Sequence, residues 1–224
     1  MKIGIIGSGN MGRTLGLLWK EKGHDVFFGS RNPKTIDYLK SVCSDAKVGS
    51  IIEAVNFGDI LMYNLRDVMP SEVAPREAWK RKIIIDVNNW SVPSDFNFPP
   101  VIKSHSSLYQ EDVPDAYVIK AFNHLAQEVY YHSEDKMKQF NIAGFYAGDN
   151  VKAKEVVAGL IKDSGLNPVD CGGLNNARLL ESYADLVRLL IAGQGMGPWF
   201  AVEAKVLPAA ESCRFGERQM SEFR

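Results

Sequence analysis

The chain has 224 residues, enough for one large domain or one domain with a small appendage at roughly 150 residues per domain. Lys plus Arg number 26 and Asp plus Glu 27, a formal charge of −1, which argues against a broadly basic nucleic-acid platform or a polybasic patch for anionic membranes. An apolar share of 46% argues against disorder over most of the length.

The longest uncharged stretch, Leu189 to Val202, is broken by Gly193, Gln194, Gly195, Gly197 and Pro198. It falls short of the roughly 20 apolar residues that a bilayer demands, so no membrane contact is expected. The first residues form a short apolar run ending in glycines, which is no secretory signal. The three cysteines, Cys43, Cys171 and Cys213, are odd in number and widely spaced. They suit free thiols in a reducing cytoplasm and offer no zinc spacing, so no metal site is expected.

In chain order, Met1 to Ser8 reads as a buried strand, with Ile3, Ile5 and Ile6 ahead of glycines. Asn10 to Lys22 reads as a helix: Leu15, Leu18 and Trp19 fall at helical spacing and Gly23 is placed to end it. Asp25 to Gly29 is a second strand, completing a βαβ unit. A helix starting at Asn32 or Thr35 runs through Cys43, and Ala46 to Gly49 is a short third strand. Further strands are expected at Asp59–Tyr63, Lys82–Val87 and Tyr117–Phe122, with a helix from His124. Strands at Asn141–Ala147 and Asn167–Cys171 flank a helix over Asn150–Lys162. This alternation predicts a doubly wound, mainly parallel α/β sheet covered on both faces. Beyond it, Leu174–Ile191 and Pro198 to about Cys213 read as two helices around a glycine-rich break. The expected division is therefore 1–171, a nucleotide-binding domain, and 172–224, a helical segment. The proline-bearing loop from Asn88 to Ser107 is long enough to be functional or a plain surface excursion.

Gly7-Ser8-Gly9-Asn10-Met11-Gly12 matches G-x-G-x-x-G between a strand and a helix, the context in which that pattern is informative. Gly7 permits the turn, Gly9 lets a pyrophosphate approach the backbone, and Gly12 lets the helix pack on the sheet. The helix N-terminus then faces the phosphates. At the end of the second strand an NAD site carries an acid for the ribose hydroxyls. Here the turn is Gly29-Ser30-Arg31-Asn32-Pro33-Lys34, without an acid. Its hydroxyl, guanidinium and ammonium suit a 2′-phosphate, so NADP(H) is the expected dinucleotide.

These two stretches together resemble the NADP-binding domain of the deazaflavin (coenzyme F-420)-dependent NADP oxidoreductases. They are also similar to the reductase domain of the six-transmembrane metalloreductases. The likeness recurs at Ile85-Asp86-Val87-Asn88-Asn89, Val118-Ile119-Lys120-Ala121-Phe122-Asn123, Pro168-Val169-Asp170-Cys171-Gly172, Leu174 to Glu181 and Gly195-Met196-Gly197. It extends to about residue 200, and the tail from Val206 has no counterpart. The resemblance implies a Rossmann domain with a small helical C-terminal part that lines the cleft and builds a homodimer. It implies hydride transfer between NADP(H) and a flavin or deazaflavin co-substrate, with Ser30, Arg31 and Lys34 on the 2′-phosphate. It also implies ligand contacts from Asn64, Leu65, Asn88, Ala121 and Asn123, all at carboxyl ends of strands, where open α/β sheets bind ligands. The deazaflavin enzymes carry histidine at the place of Asn123, and Lys120-Ala121-Phe122-Asn123 is closer to the metalloreductases.

Hydride transfer needs two aligned rings more than an acid or base. The catalytic candidates are accordingly few. Asn123 is either a hydrogen-bond partner of a carboxamide or ring edge, or a turn asparagine. His124 is either a proton donor to the reduced acceptor or a solvent-facing residue at a helix start. His105 lies in the long loop and either lines the cleft or is a plain loop residue, and His24 and His132 read as structural or exposed. Arg178 and Glu181, three apart, are expected to pair. Lys120 is expected to pair or snorkel, and Met196 and Trp199 either pack over a substrate ring or, as is commoner for such residues, in a core or dimer interface. The expected function is an NADPH-dependent oxidoreductase acting on a small-molecule flavin or deazaflavin. Reduction of a small carbonyl or imine, and a non-catalytic NADP sensor or partner module, are the alternatives.

Overall fold

A computed structural model describes residues 1–208. One sheet of eight strands organises them, in the order β3-β2-β1-β4-β5-β6-β7-β8. These are β1 Lys2–Ile6, β2 Asp25–Gly29, β3 Lys47–Gly49, β4 Ile60–Tyr63, β5 Ile83–Asp86, β6 Tyr117–Ala121, β7 Ala143–Gly148 and β8 Asn167–Asp170. The first six are mutually parallel. β7 runs antiparallel to β6, and β8 runs parallel to β7. The central strands are continuous apolar runs because both sheet faces are covered: Ile3, Ile5, Ile6, Leu61 and Met62 are all fully buried.

Helices α1 Asn10–Glu21, α2 Pro33–Val42, α3 Ile51–Phe57, α4 Pro70–Val73, α5 His105–Asp112, α6 Glu134–Phe140, α7 Val151–Asp163 and α8 Ala177–Arg188 connect and follow the strands. One core gathers Leu15, Trp19, Phe28, Phe122 and Leu160. Trp19 anchors it: its ring meets Phe122 edge-on at 5.5 Å, and its Nε1 donates to Ser164 Oγ at 3.0 Å. The second core gathers Ile6, Ala54, Tyr63, Trp79 and Tyr109. No helix among the described residues is long and apolar enough to cross a membrane.

The strand order reverses at β1, between β2 and β4, which opens a crevice at the carboxyl edge. That switch point is where the glycine turn lies.

Several sequence expectations need correction. α3 begins at Ile51, where no helix was expected, because the Ile51-Ile52 pair carries no helical signature. A capping box between Ser50 and Glu53 starts it instead. The long loop ends in α5, capped by Ser104, so His105 is helical. No helix begins at His124. Phe122 turns through a left-handed φ of +58°, and the chain reaches a 3-10 turn only at Gln127–Tyr131. The expected helix from Pro198 is not formed up to residue 208, and its remainder to Cys213 lies outside the described residues. There the chain is extended instead: Ala143 N donates to Val202 O at 2.9 Å, and Glu203 bridges to Ile142.

Candidate functional site

The glycine turn is built by β2 as much as by β1. The carbonyl of Gly29 accepts from Gly7 N at 3.3 Å, Ser8 N at 3.2 Å and Ser8 Oγ at 3.0 Å. Both donors of Ser8 are thus spent within the protein, and its buried side chain shapes the turn. Gly7 has a φ of +97°, which side chains resist. A Cβ on Gly12 would lie 2.3 Å from Gly7 O, so α1 packs against the turn only because Gly12 has none. Gly9 differs. A Cβ there would meet nothing closer than Asn64 Nδ2 at 3.8 Å. The space above Gly9 is open on the protein side, as a group approaching the backbone requires. Asn10 and Met11 follow in the first turn of α1, whose early N–H groups have no intrahelical acceptor.

At the end of β2 the basic turn is exposed. Ser30 N donates to Gly49 O at 3.0 Å, and Asn32 caps α2 by accepting from Lys34 N at 3.0 Å. Arg31 and Lys34 stay in solvent, and neither is in an ion pair among the described residues. Asn64 Nδ2 donates to Gly7 O at 3.2 Å, so the residue after β4 ties down the glycine turn. The carbonyl of the next residue, Leu65, accepts from Tyr109 Oη at 3.3 Å.

The ends of β5 and β6 meet through two asparagines. Asn123 Nδ2 donates to Asn89 Oδ1 at 2.8 Å and to Leu180 O on α8 at 3.0 Å. Asn89 Nδ2 returns a bond to Asn123 O at 2.6 Å. The remaining acceptor, Asn123 Oδ1, is buried and has no partner. Asn88 is spent on scaffolding, with its Nδ2 on Tyr63 O at 3.1 Å and Asp86 Oδ1 at 3.1 Å. Ala121 is the last residue of β6 and is fully buried, so neither its side chain nor its backbone is exposed at the edge.

Beneath this edge lies a charge cluster that the sequence did not reveal. Lys120, fully buried, donates to Asp86 Oδ2 at 3.0 Å, to Glu181 Oε1 at 2.6 Å and to Asn88 O. Glu181 therefore pairs with Lys120 and not with Arg178, which is exposed. The reason is direction: Glu181 is on the buried side of α8, where the Lys120 side chain reaches it, and Arg178 is on the exposed side. His105 joins the cluster, its backbone N donating to Glu181 Oε1 at 2.9 Å. Its ring is buried against Trp90, with centroids 4.0 Å apart. The Ile-Asp-Val-Asn-Asn run, with an acid at a buried strand end, was the available signal.

His124 is buried, contrary to the expected solvent-facing position. Its Nε2 lies 2.9 Å from Ala143 O, and its ring packs between Phe145 and Tyr183. Burial pushes its pKa down to about 4, so it is uncharged near neutral pH.

Over residues 2–90 the chain matches the sequence model described as NADP oxidoreductase, coenzyme F420-dependent. The chain resembles that family. It also resembles metalloreductases: STEAP3 of Rattus norvegicus is 30% identical over 184 residues, covering 81% of this chain and 36% of that protein. The chain spans about a third of the length of the curated relatives it matches. Among solved structures, an Arthrobacter sp. FB24 protein put forward as an F420-dependent NADP-reductase superposes with a TM-score of 0.76 at 22% identity, over 92% of this chain and all of that one. An imine reductase of Streptomyces aurantiacus superposes at 0.61 with 15% identity, over 87% of this chain and 64% of that one. At these identities the structural likeness shows the fold: a Rossmann-type sheet with a small helical C-terminal part.

Proposed function

We propose that this chain is an NADPH-dependent oxidoreductase that passes a hydride between NADP(H) and a flavin or deazaflavin acceptor. The observation that carries the reading is the Ser30-Arg31-Lys34 turn, with Arg31 and Lys34 exposed and Ser30 half-buried, at the strand end where an NAD site would hold an acid. Two further features support a dinucleotide laid along the carboxyl edge. The backbone at Gly9 is open to close approach, and the buried Asn123 Oδ1 awaits a donor. An amide N–H of the nicotinamide carboxamide would supply that donor, since buried polar atoms are rarely left unpaired. Bound NADPH supplies a hydride from its nicotinamide ring; the acceptor gains that hydride and a proton, leaving NADP+.

The residues of this chain orient and exclude. Gly7 to Gly12 and α1 receive the pyrophosphate, Arg31 and Lys34 the 2′-phosphate, and the Asn89–Asn123 pair the nicotinamide edge. α8 holds that pair through Leu180 O, which supports reading α8 as a wall of the cleft. Buried and uncharged, His124 is read as a packing residue and not as a proton donor. The exposed Leu179, Leu186, Met196 and Trp199 are assigned to a homodimer surface, to be checked by sedimentation.

The test is to mix purified protein with NADPH and follow nicotinamide absorbance with a deazaflavin, FMN, FAD or ferric chelates. Oxidation with a flavin or deazaflavin is the expected result. Tight NADPH binding without oxidation by any acceptor overturns the reading in favour of a sensor. Oxidation only by a carbonyl or imine moves it to the other reductase class.

A further inference from the structure

We propose that Trp90 is the stacking platform for the ring system of the second substrate, a neutral, planar, polycyclic ring. The inference rests on the reading of the carboxyl edge as a hydride-transfer site, and it names where the acceptor sits. Trp90 lies two residues beyond Asn88 and is 36% exposed. An exposed tryptophan is ordinarily free to move, but this one is held from two sides. His105 backs its ring at 4.0 Å with an interplanar angle of 39°. Its carbonyl accepts from Arg188 Nη1 at 2.8 Å, and that guanidinium is itself held by Asp185 at 3.1 Å. The same helix, α8, therefore fixes both Asn123 and Trp90. A rigid, half-exposed aromatic ring is preorganised to receive another ring.

A cavity of about 270 Å³ opens beside the indole, walled by Phe98, Pro99, Pro100 and Ile102. That is just under the roughly 300–1,000 Å³ of typical ligand pockets, a size for part of a ring system with any polar tail outside. Its two charged lining residues are already paired, Lys103 with Glu111 at 2.6 Å and Asp185 with Arg188. No free charge remains there to select a phosphate, which leaves shape and stacking to choose the ligand.

The experiment titrates NADP+-loaded protein with FMN and, separately, with riboflavin, following flavin fluorescence. Wild type should bind both with similar affinity, because the ring and not the phosphate is held. Trp90→Phe should stay within about threefold of wild type, whereas Trp90→Leu should weaken both by about tenfold or more. NADPH affinity should not change in either variant, and both should unfold cooperatively, Trp90→Leu at a somewhat lower temperature because the indole packs on His105. Wild-type affinity for FMN in Trp90→Leu, or no flavin binding by wild type, overturns the inference. Flavin-driven NADPH oxidation that survives unchanged in Trp90→Leu leaves the proposed activity standing and removes only this site. Failure of wild type to bind NADPH would instead strike the cofactor reading.

Discussion

At the scale of single residues, Arg31 is the side chain proposed to choose between the two dinucleotides. It stands at the end of β2 with its guanidinium in solvent, and no carboxylate replaces it in that turn. Charge-assisted hydrogen bonds contribute about 1.5–3 kcal/mol each, so losing two costs roughly a hundredfold or more in affinity. Arg31→Asp should weaken NADPH binding at least that much, by calorimetric titration, and change NADH binding far less. Equal losses for both nucleotides would remove the assignment. The place of Arg31, exposed just past β2, is legible in the sequence because strand, turn and missing acid are contiguous. His124 was not legible in the same way. Its burial is made by Phe145 on β7 and Tyr183 on α8, which a reading of neighbouring residues cannot place. The neighbouring Asn123 lies just past β6, as its place in the sequence suggests, but its pairing with Asn89 and Leu180 needs three elements brought together.

At the scale of elements, Gly9 and Gly12 differ in what a side chain would meet, open space at one and the turn's own backbone at the other. Gly9 has a φ of −68°, and a Cβ there would have room in the free protein. Gly9→Ala should therefore fold with an unchanged thermal midpoint yet bind NADPH at least about tenfold more weakly, since the methyl group occupies the pyrophosphate's approach. Gly12→Ala should behave oppositely. Its Cβ would strike Gly7 O and Ile5 Cγ2, and such overpacking costs about 1–3 kcal/mol in urea unfolding. If both variants lose stability alike, the division of roles between the glycines is wrong.

The cluster joining β5, β6 and α8 makes a second element-level prediction. Lys120→Met leaves Asp86 and Glu181 without their buried cation, a loss of about 3–5 kcal/mol. Adding Glu181→Gln should recover part of that loss in denaturant melts, because one uncompensated charge is removed with it. A double variant no more stable than the single would show that packing, not charge, sets the cost. The strands here were readable from their apolar runs. The ion cluster was not, because spacing on α8 suggested a local partner for Glu181 and tertiary packing supplied a distant one. α3 escaped for the opposite reason: its start signal, Ser50 with Glu53, lies on a short segment whose paired isoleucines carry no helical period.

At the scale of the whole molecule, the sheet changes direction at β7, and the far edge hangs on what joins β6 to that reversed pair. His124 sits in this joint. It bonds to the first residue of β7, and the extended segment after residue 200 pairs onto the same residue through Val202 O. Protonating the imidazole would place an unsolvated charge between Phe145 and Tyr183. In the unfolded chain the ring takes a proton near pH 6.5, whereas in the folded chain it does so only at about 4. The unfolded state therefore binds more protons between those values, and stability must fall as the pH is lowered from about 6.5 toward 4. At 1.36 kcal/mol per pKa unit, the loss attributable to this ring approaches about 3 kcal/mol. His124→Gln retains a side-chain N–H for Ala143 O and cannot titrate. Measured by urea unfolding across that range, the variant should lose markedly less stability on acidification than wild type. Parallel pH profiles for the two proteins would show that other groups, and not this joint, govern the acid limb.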